Sequence, residues 1–382
     1  MDLILDQRKT GKDFKNMAEI KKINQMEPWL DEKEQNAVLE YLKSGGWLTE
    51  FKKTREFENM IADYVGAKYC SVVSNGTVSL FVAIVALGIG KGDEVIVPNY
   101  TMIASANAVI LSGARPILVD IDFNNLCLDL EIVKKSITKK TKAIMLVTVN
   151  GRSPNMDEFV SFCKKKKIFL IEDAAQSFGS KYRGRYLGTF GDIGSFSFSM
   201  PKIITTGQGG ALITNNEKIY KKILEIKDFG RKKAGVDIHK SIGYNFKFTD
   251  LQAVIGIEQM KKLQWRLERK KEIFTLYKKN LVTIREIKFL ETDLENVSPW
   301  FIDILVPQNK RGPLVKFLDE NGIGSRIFYP AIHTQVPYKK IKGSFKNSEN
   351  ISRTGLWLPS SSFLRDEEII YICNRIKDFF SK

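Results

Sequence analysis

Between residues 69 and 214 the chain keeps returning to one pattern: a short β-branched run, a turn, then apolar residues at helical spacing. The runs are Tyr69–Val73, Glu94–Val97, Pro116–Val119, Ala143–Val147, Ile168–Ile171, Gly194–Phe198 and Ala211–Thr214. Between most of them lie stretches with helical periodicity, such as Val78–Leu87 and Met156–Lys165. This alternation predicts an α/β fold with a mostly parallel central sheet sandwiched by helices. In such sheets ligands collect at the carboxyl ends of the strands.

The flanks read differently. Residues 1–25 are polar and lysine-rich and are expected to form an arm. A helix is expected over Glu32–Leu42, stopped by Ser44-Gly45-Gly46. Thr249 and Gln252 make a capping box that opens a long amphipathic stretch reaching about Asn280. The expected division is therefore a large α/β domain over 26–255 and a small α+β domain over 256–382. The small domain would hold strands at Trp300–Val306 and Gly324–Tyr329, and helices at Gly312–Asn321 and Asp366–Phe380. A chain of 382 residues is long enough to bury a core in each.

Several function classes fit poorly. The net charge is +16, but the basic residues are scattered singly or in short runs such as Lys164–Lys167. That suits solvated helix faces or the attraction of an anionic substrate. No zinc-finger, basic-zipper or RNA-recognition signature points to nucleic acid. Cys70, Cys127, Cys163 and Cys373 form no C-x-x-C pair and read as buried free thiols in a reducing compartment. With only two histidines, His239 and His333, no metal site is expected. The charged start MDLILDQRKTGKDF is no signal peptide, and the longest apolar run, Leu80–Leu87, is too short to span a membrane. A cytoplasmic protein without membrane insertion is expected.

The chemistry gathers around Lys202, in GSFSFSMPKIITTGQGGALITNN (194–216). A lysine between a strand-like run and a glycine cluster is placed to form an imine with an aldehyde, and pyridoxal 5′-phosphate is the common one. A surface lysine in a turn is the competing reading. The run Tyr69–Val73 leads through Ser74-Asn75-Gly76-Thr77 into an apolar helix, a candidate phosphate cradle, although many such turns hold nothing. The run Ile168–Ile171 ends in Glu172-Asp173-Ala174-Ala175-Gln176. Asp173 is the candidate for the pyridine nitrogen, with Ala174 and Ala175 leaving room for the ring; a helix-capping role competes. Ser197 could add a bond to the phosphate and Gln176 could reach the ring hydroxyl. The order cradle, acid, lysine places all three on separate strand ends of one sheet.

From about Trp29 to the C-terminus the sequence resembles the DegT/StrS-type sugar aminotransferases, which have the type I pyridoxal-phosphate fold. The resemblance lies in GKGDEVIVPNYT (90–101), VDID (119–122), IEDAAQS (171–177), the lysine segment, GYNFKFTDLQAVIG (243–256) and SRIFYPAIH (325–333). It implies a homodimer with active sites at the subunit interface, glutamate as amino donor and a keto-sugar, commonly nucleotide-linked, as acceptor. It also implies that Asn245 reaches the neighbouring subunit's cofactor phosphate and that His333 lies near the sugar. Met102 stands where the family commonly stacks an aromatic residue on the cofactor; its thioether can pack there instead. Asn150-Gly151-Arg152 replaces a more usual Tyr-Gly pair, which makes Arg152 a candidate binder of a carboxylate or phosphate, with an ordinary surface arginine as the alternative.

The expected activity is amino transfer from glutamate to a nucleotide-linked 4-keto-6-deoxyhexose, of the kind made into perosamine or viosamine for surface polysaccharide. An 8-keto derivative of the octulosonic acid of lipopolysaccharide is the alternative acceptor, since its carboxylate would suit Arg152. A sugar dehydratase of the same fold would carry histidine in place of Lys202. A non-enzymatic basic binding protein would need none of these residues.

Overall fold

Seven strands carry the central sheet of the computed structural model, which describes residues 22–231, 233 and 235–381. Most of the expected 1–25 arm lies outside the described residues. Its end does not: Ile23 pairs with Ile323 through two backbone hydrogen bonds, to Gly322 and from Gly324.

The strands are β1 (Tyr69–Val73), β2 (Glu94–Pro98), β3 (Arg115–Val119), β4 (Thr141–Val147) and β5 (Phe169–Asp173). A two-residue hairpin of β6 (Lys181–Tyr182) and β7 (Arg185–Tyr186) follows, then β8 (Ile193–Ser197) and β9 (Gly210–Thr214). The sheet order is β1-β9-β8-β5-β4-β2-β3. From β3 to β8 every pairing is parallel, as expected where helices make the crossovers. Only β9 runs against both neighbours. No helix separates β8 from β9, so the chain turns back on itself instead of crossing over. That helix-free return carries Lys202.

Alternate residues of the strands feed opposite faces, as pleating requires. On β4, Ala143 and Met145 join Val95, Val97 and Ile171 beneath the apolar helix Gly76–Ala86, while Ile144 and Leu146 join Phe159 and Cys163 of the helix Met156–Lys166. The sequence reading had no helix at Lys52–Val65. It forms there because the buried carboxylate of Asp250 accepts from the amides of Phe51, Lys53 and Thr54 and from the Thr54 hydroxyl.

The amphipathic stretch after Thr249 is two helices, Asp250–Lys261 and Leu263–Leu281. They break at Lys262, whose ammonium turns to Asp31 (2.7 Å) and Glu34 (2.8 Å). A division between 255 and 256 falls inside the first helix. Beyond it lies a second, antiparallel sheet of β10 (Lys288–Phe289), β11 (Ile302–Leu305), β12 (Arg326–Ile327) and β13 (Gly355–Leu358), in the order β10-β11-β13-β12. Helices Gln308–Glu320, Leu263–Leu281 and Asp366–Phe380 cover it with a core that includes Leu314, Phe274 and Ile372. The central strand β13 escaped the sequence reading because four residues carry too little pattern.

The sheet leaves no room for a side chain at Gly194 on β8, where a Cβ would overlap the backbone of Gly188. The loop holding Gly188 cannot yield, since the Glu172 carboxylate takes the amides of Gly188, Phe190 and Gly191 at 2.5–2.7 Å. Gly194→Ala is expected to cost more than about 3 kcal/mol, read as a lower urea midpoint at unchanged slope.

Candidate active site

Strand register brings distant segments together before any side chain acts. Ser197 pairs with Gly210, and Gly210 pairs with Val73, so the end of β8 lies two strands from the exit of β1. There Asn75 caps the helix Gly76–Ala86 by accepting from the Val78 amide at 2.9 Å. The first-turn amides of Gly76 and Thr77 lie at the positive end of the helix dipole. A Cβ on Gly76 would come 2.8 Å from Ser197 Cβ and 3.0 Å from its Oγ, and one on Gly210 would come 2.5 Å from the Asn75 carbonyl. Two glycines thus let three backbones close to a nook lined by amides and the Ser197 hydroxyl. That donor set fits a phosphate.

Asp173 ends β5, next to β8, and is buried. Its Oδ2 accepts from Ser105 Oγ at 2.7 Å and its Oδ1 from the Ala175 amide at 3.2 Å. Burial raises its pKa, opposed by those two donors and by the charge of Lys202. Glu172, one residue earlier, points to the opposite face, where burial pushes it up to about 7 while the three loop amides pull it back. Ser105 also lies 3.3 Å from the Met102 carbonyl, so the exit of β2 is tied to Asp173 and half-exposed Met102 stands beside it.

Lys202 sits in the return between β8 and β9, its amide bonded to the Ser199 carbonyl at 3.0 Å. Its Nζ lies 3.9 Å from the centre of the Trp300 ring. Desolvation pulls its pKa down to about 8; Asp173 acts against this and Arg326 adds to it. An amine so displaced is available as a nucleophile near neutrality.

The remaining expected residues divide. Gln176 is buried and its Oε1 accepts from the Asn150 amide at 3.0 Å. Asn245 is exposed, and its neighbour Phe246 accepts from the Ser74 amide beside the nook. His333 lies at the exit of β2. Asn99 Oδ1 accepts from the His333 amide, so its Nδ2 donates to Nδ1 at 2.9 Å, and the ring proton sits on Nε2, 3.3 Å from Glu349. Arg152 does not join the group, which corrects the expectation of a substrate-binding arginine. It is buried and bidentate to Asp303 on β11 (2.6 and 2.8 Å), with Glu291 O and Thr292 Oγ1 taking two more donors. Asn150 and Gly151, both at positive φ, turn the chain to bring it there.

Three residues were not foreseen. Ser105 holds Asp173 but reads in sequence as a small residue in an apolar helix. Trp300 reads as a core residue of a strand. Arg326 is exposed on β12 with its guanidinium 5.6 Å from the rings of Tyr329 and Trp357, and no acidic partner is found for it among the described residues. Its charge lowers the Lys202 pKa, and the Tyr329 hydroxyl beside it is pushed up to about 12 by burial.

The model of the DegT/DnrJ/EryC1/StrS aminotransferase family matches residues 28–377. The chain is 39% identical over 357 residues to the GDP-perosamine synthase of Escherichia coli O157:H7, covering 93% of this chain and 98% of that one. Among solved structures it superposes on Helicobacter pylori PseC, an aminotransferase of pseudoaminic acid biosynthesis, with a TM-score of 0.89 at 26% identity over 94% of this chain and 100% of that one. It matches the PLP-form of Spr1654 from Streptococcus pneumoniae with a TM-score of 0.89 at 27% identity, over 94% of this chain and 99% of that one.

Two outcomes are expected from the site. Arg152→Met leaves Asp303 buried without its cation and should cost about 3–5 kcal/mol of stability, measured by urea unfolding, while Arg152→Met with Asp303→Leu recovers much of it. Lys202 is mostly protonated below its shifted value, so the rate at which the apo-protein takes up pyridoxal phosphate should rise with pH and level off above about 8. A rate that kept climbing past pH 10 would return Lys202 to the ordinary lysine range.

Proposed function

The chain belongs to the DegT/DnrJ/EryC1/StrS aminotransferase family, a family of pyridoxal-phosphate enzymes, and on that premise we propose that it moves an amino group from glutamate to a GDP-linked 4-keto-6-deoxyhexose. The observation that carries the reading is the convergence at one set of strand ends of a lysine over an indole face, a buried acid and an amide-lined nook. The similarity to GDP-perosamine synthase supports this choice of nucleotide and sugar, and surface polysaccharide is the proposed destination of the product.

Bound pyridoxal phosphate supplies an aldehyde that accepts amino groups and a ring that withdraws electrons. In the proposed roles the amides of Gly76 and Thr77 and the Ser197 hydroxyl hold the phosphate, and Asp173, steadied by Ser105, faces the ring nitrogen. Met102 would pack against the ring and Gln176 would lie toward its hydroxyl. Lys202 would hold the aldehyde, and its Nζ would take up the proton from the donor's Cα. Trp300 and the neighbouring strand ends exclude water from that amine. Arg326, with no acidic partner among the described residues, takes over the carboxylate-binding role that Arg152 cannot fill. His333, its Nε2 proton directed to Glu349, lies toward the acceptor sugar in this proposal. With Arg152 spent on Asp303, the octulosonic-acid acceptor loses the residue that recommended it.

A homodimer is part of the proposal. Ile238, Ile242 and Tyr244 are exposed on the segment that precedes Asn245, and an apolar patch of this kind suits a subunit interface. From there Asn245 would reach the neighbouring subunit's phosphate nook. No helix among the described residues is long and apolar enough to cross a membrane. A cytoplasmic site of action is proposed with the rest.

The test supplies glutamate and a panel of nucleotide-linked and free keto-sugars and follows 2-oxoglutarate. The GDP-linked 4-keto-6-deoxyhexose should give the highest kcat/KM; a different acceptor at the top of the panel would overturn the substrate. Borohydride should fix label on Lys202, and Lys202→Ala should lose about a thousandfold or more in turnover. Arg326→Leu should raise the glutamate KM about tenfold.

A further inference from the structure

Lys202 sits in the return between two strands of the central sheet, yet side chains from elsewhere also hold that turn. On one side the Pro201 carbonyl accepts from Trp300 Nε1 at 2.5 Å. On the other the Ile203 carbonyl accepts from Arg266 Nη1 at 2.9 Å. Arg266 and Lys270 stand one turn apart on the helix Leu263–Leu281, so they share a face. Lys270 is buried and its Nζ donates to the carbonyls of Trp300, at 2.9 Å, and Ser360. Ser360 in turn accepts from the Ile302 amide at 2.9 Å and donates to Leu358 at 2.6 Å, which locks β11 to β13. One helix face therefore ties the small sheet to both sides of the lysine.

Trp300 is the joint. It is 2% exposed, stacked on Phe301 at 3.9 Å and tilted against Trp357 at 6.2 Å. Packing of this kind would satisfy a core residue, but its remaining face meets the Lys202 ammonium at 3.9 Å and its N–H holds the preceding carbonyl. A lysine has a long flexible stem, and an indole face attracts the cation at its end.

We propose that Trp300, anchored through its carbonyl by Lys270, is a positioning residue for Lys202: the small sheet supplies the floor on which the free amine rests between its two proton transfers. The proposal rests on Lys202 being the cofactor's lysine. Removing the floor leaves donor and acceptor binding intact but lets the amine wander, so kcat falls while KM holds. Docking of the small sheet and the availability of Lys202 are then one event.

Two measurements test it. In the apo-protein, lysines are methylated reductively with 13C-formaldehyde, and the resonance missing from Lys202→Arg is assigned to Lys202. Over an indole face it should lie upfield of the other dimethyl-lysine resonances. Trp300→Leu should return it to the common position and Lys270→Met should move it part of the way. In the holoenzyme, Trp300→Leu should lower kcat about tenfold with the glutamate KM within about threefold, and Trp300→Phe, which keeps a ring, should restore most of the loss. A wild-type resonance without the shift overturns the proposal. So does equal loss of kcat in Trp300→Phe and Trp300→Leu in step with equal loss of Tm, which would leave Trp300 a packing role alone. If Trp300→Leu does not fold, Trp300→Phe and Lys270→Met decide by the same two readouts. Borohydride label found away from Lys202 would instead fail the assignment of the lysine, while the resonance still reports the floor.

Discussion

The close approach of three backbones, at Asn75–Gly76, Ser197 and Gly210, is the constraint on which the remaining geometry depends. It needs glycine at 76 and 210, because a Cβ at either would meet its neighbour at 2.5–2.8 Å. It also needs the register that sets Val73, Gly210 and Ser197 in one row. That register exists because β9 turns back without a crossover helix, and the same short return carries Lys202. The anion nook and the lysine are thus two consequences of one departure from parallel pairing.

Electrostatics at the site follow from burial. The charged forms of Lys202 and Asp173 are both disfavoured by desolvation, and each favours the charge of the other. Neither group is given an ion pair strong enough to fix its state. Other buried charges are treated differently: Arg152 meets Asp303 bidentately, Lys262 meets Asp31 and Glu34, and Lys227 meets Glu50 at 3.0 Å. The contrast separates scaffold from chemistry. These three cations of the scaffold are paired with carboxylates, and the pair at the strand ends is left free to exchange protons.

The small sheet is bound to the large one at places where the site is built. Arg152 leaves the end of β4 to meet Asp303 on β11, and Trp300 leaves the start of β11 to touch Lys202. The hydrophobic core crosses the same seam, joining Phe57 and Phe198 to Phe301, Phe328 and Trp357. A seam with this much buried apolar contact resists relative motion of its two sides.

The sequence alone determined the α/β layering, because strand and helix periodicities are local and each short β-branched run sits between helical stretches. It also determined the chemical order of Gly76, Asp173 and Lys202, since turn glycines, a strand-terminal acid and a flanked lysine are legible residue by residue, and it carried the family resemblance. Less of the small sheet was legible: β13 is four residues long, and the break at Lys262 depends on two acids more than two hundred residues earlier. Arg152 shows the limit most clearly. A lone arginine after Asn-Gly reads as free to bind an anion, and only the fold brings Asp303 to it. Arg326 is the converse, an arginine that finds no acidic partner among the described residues and whose charge acts on Lys202. Local pattern decides what a residue is able to do; its partners come from distant parts of the chain, and so tertiary structure decided which arginine was spent and which ring lies under the lysine.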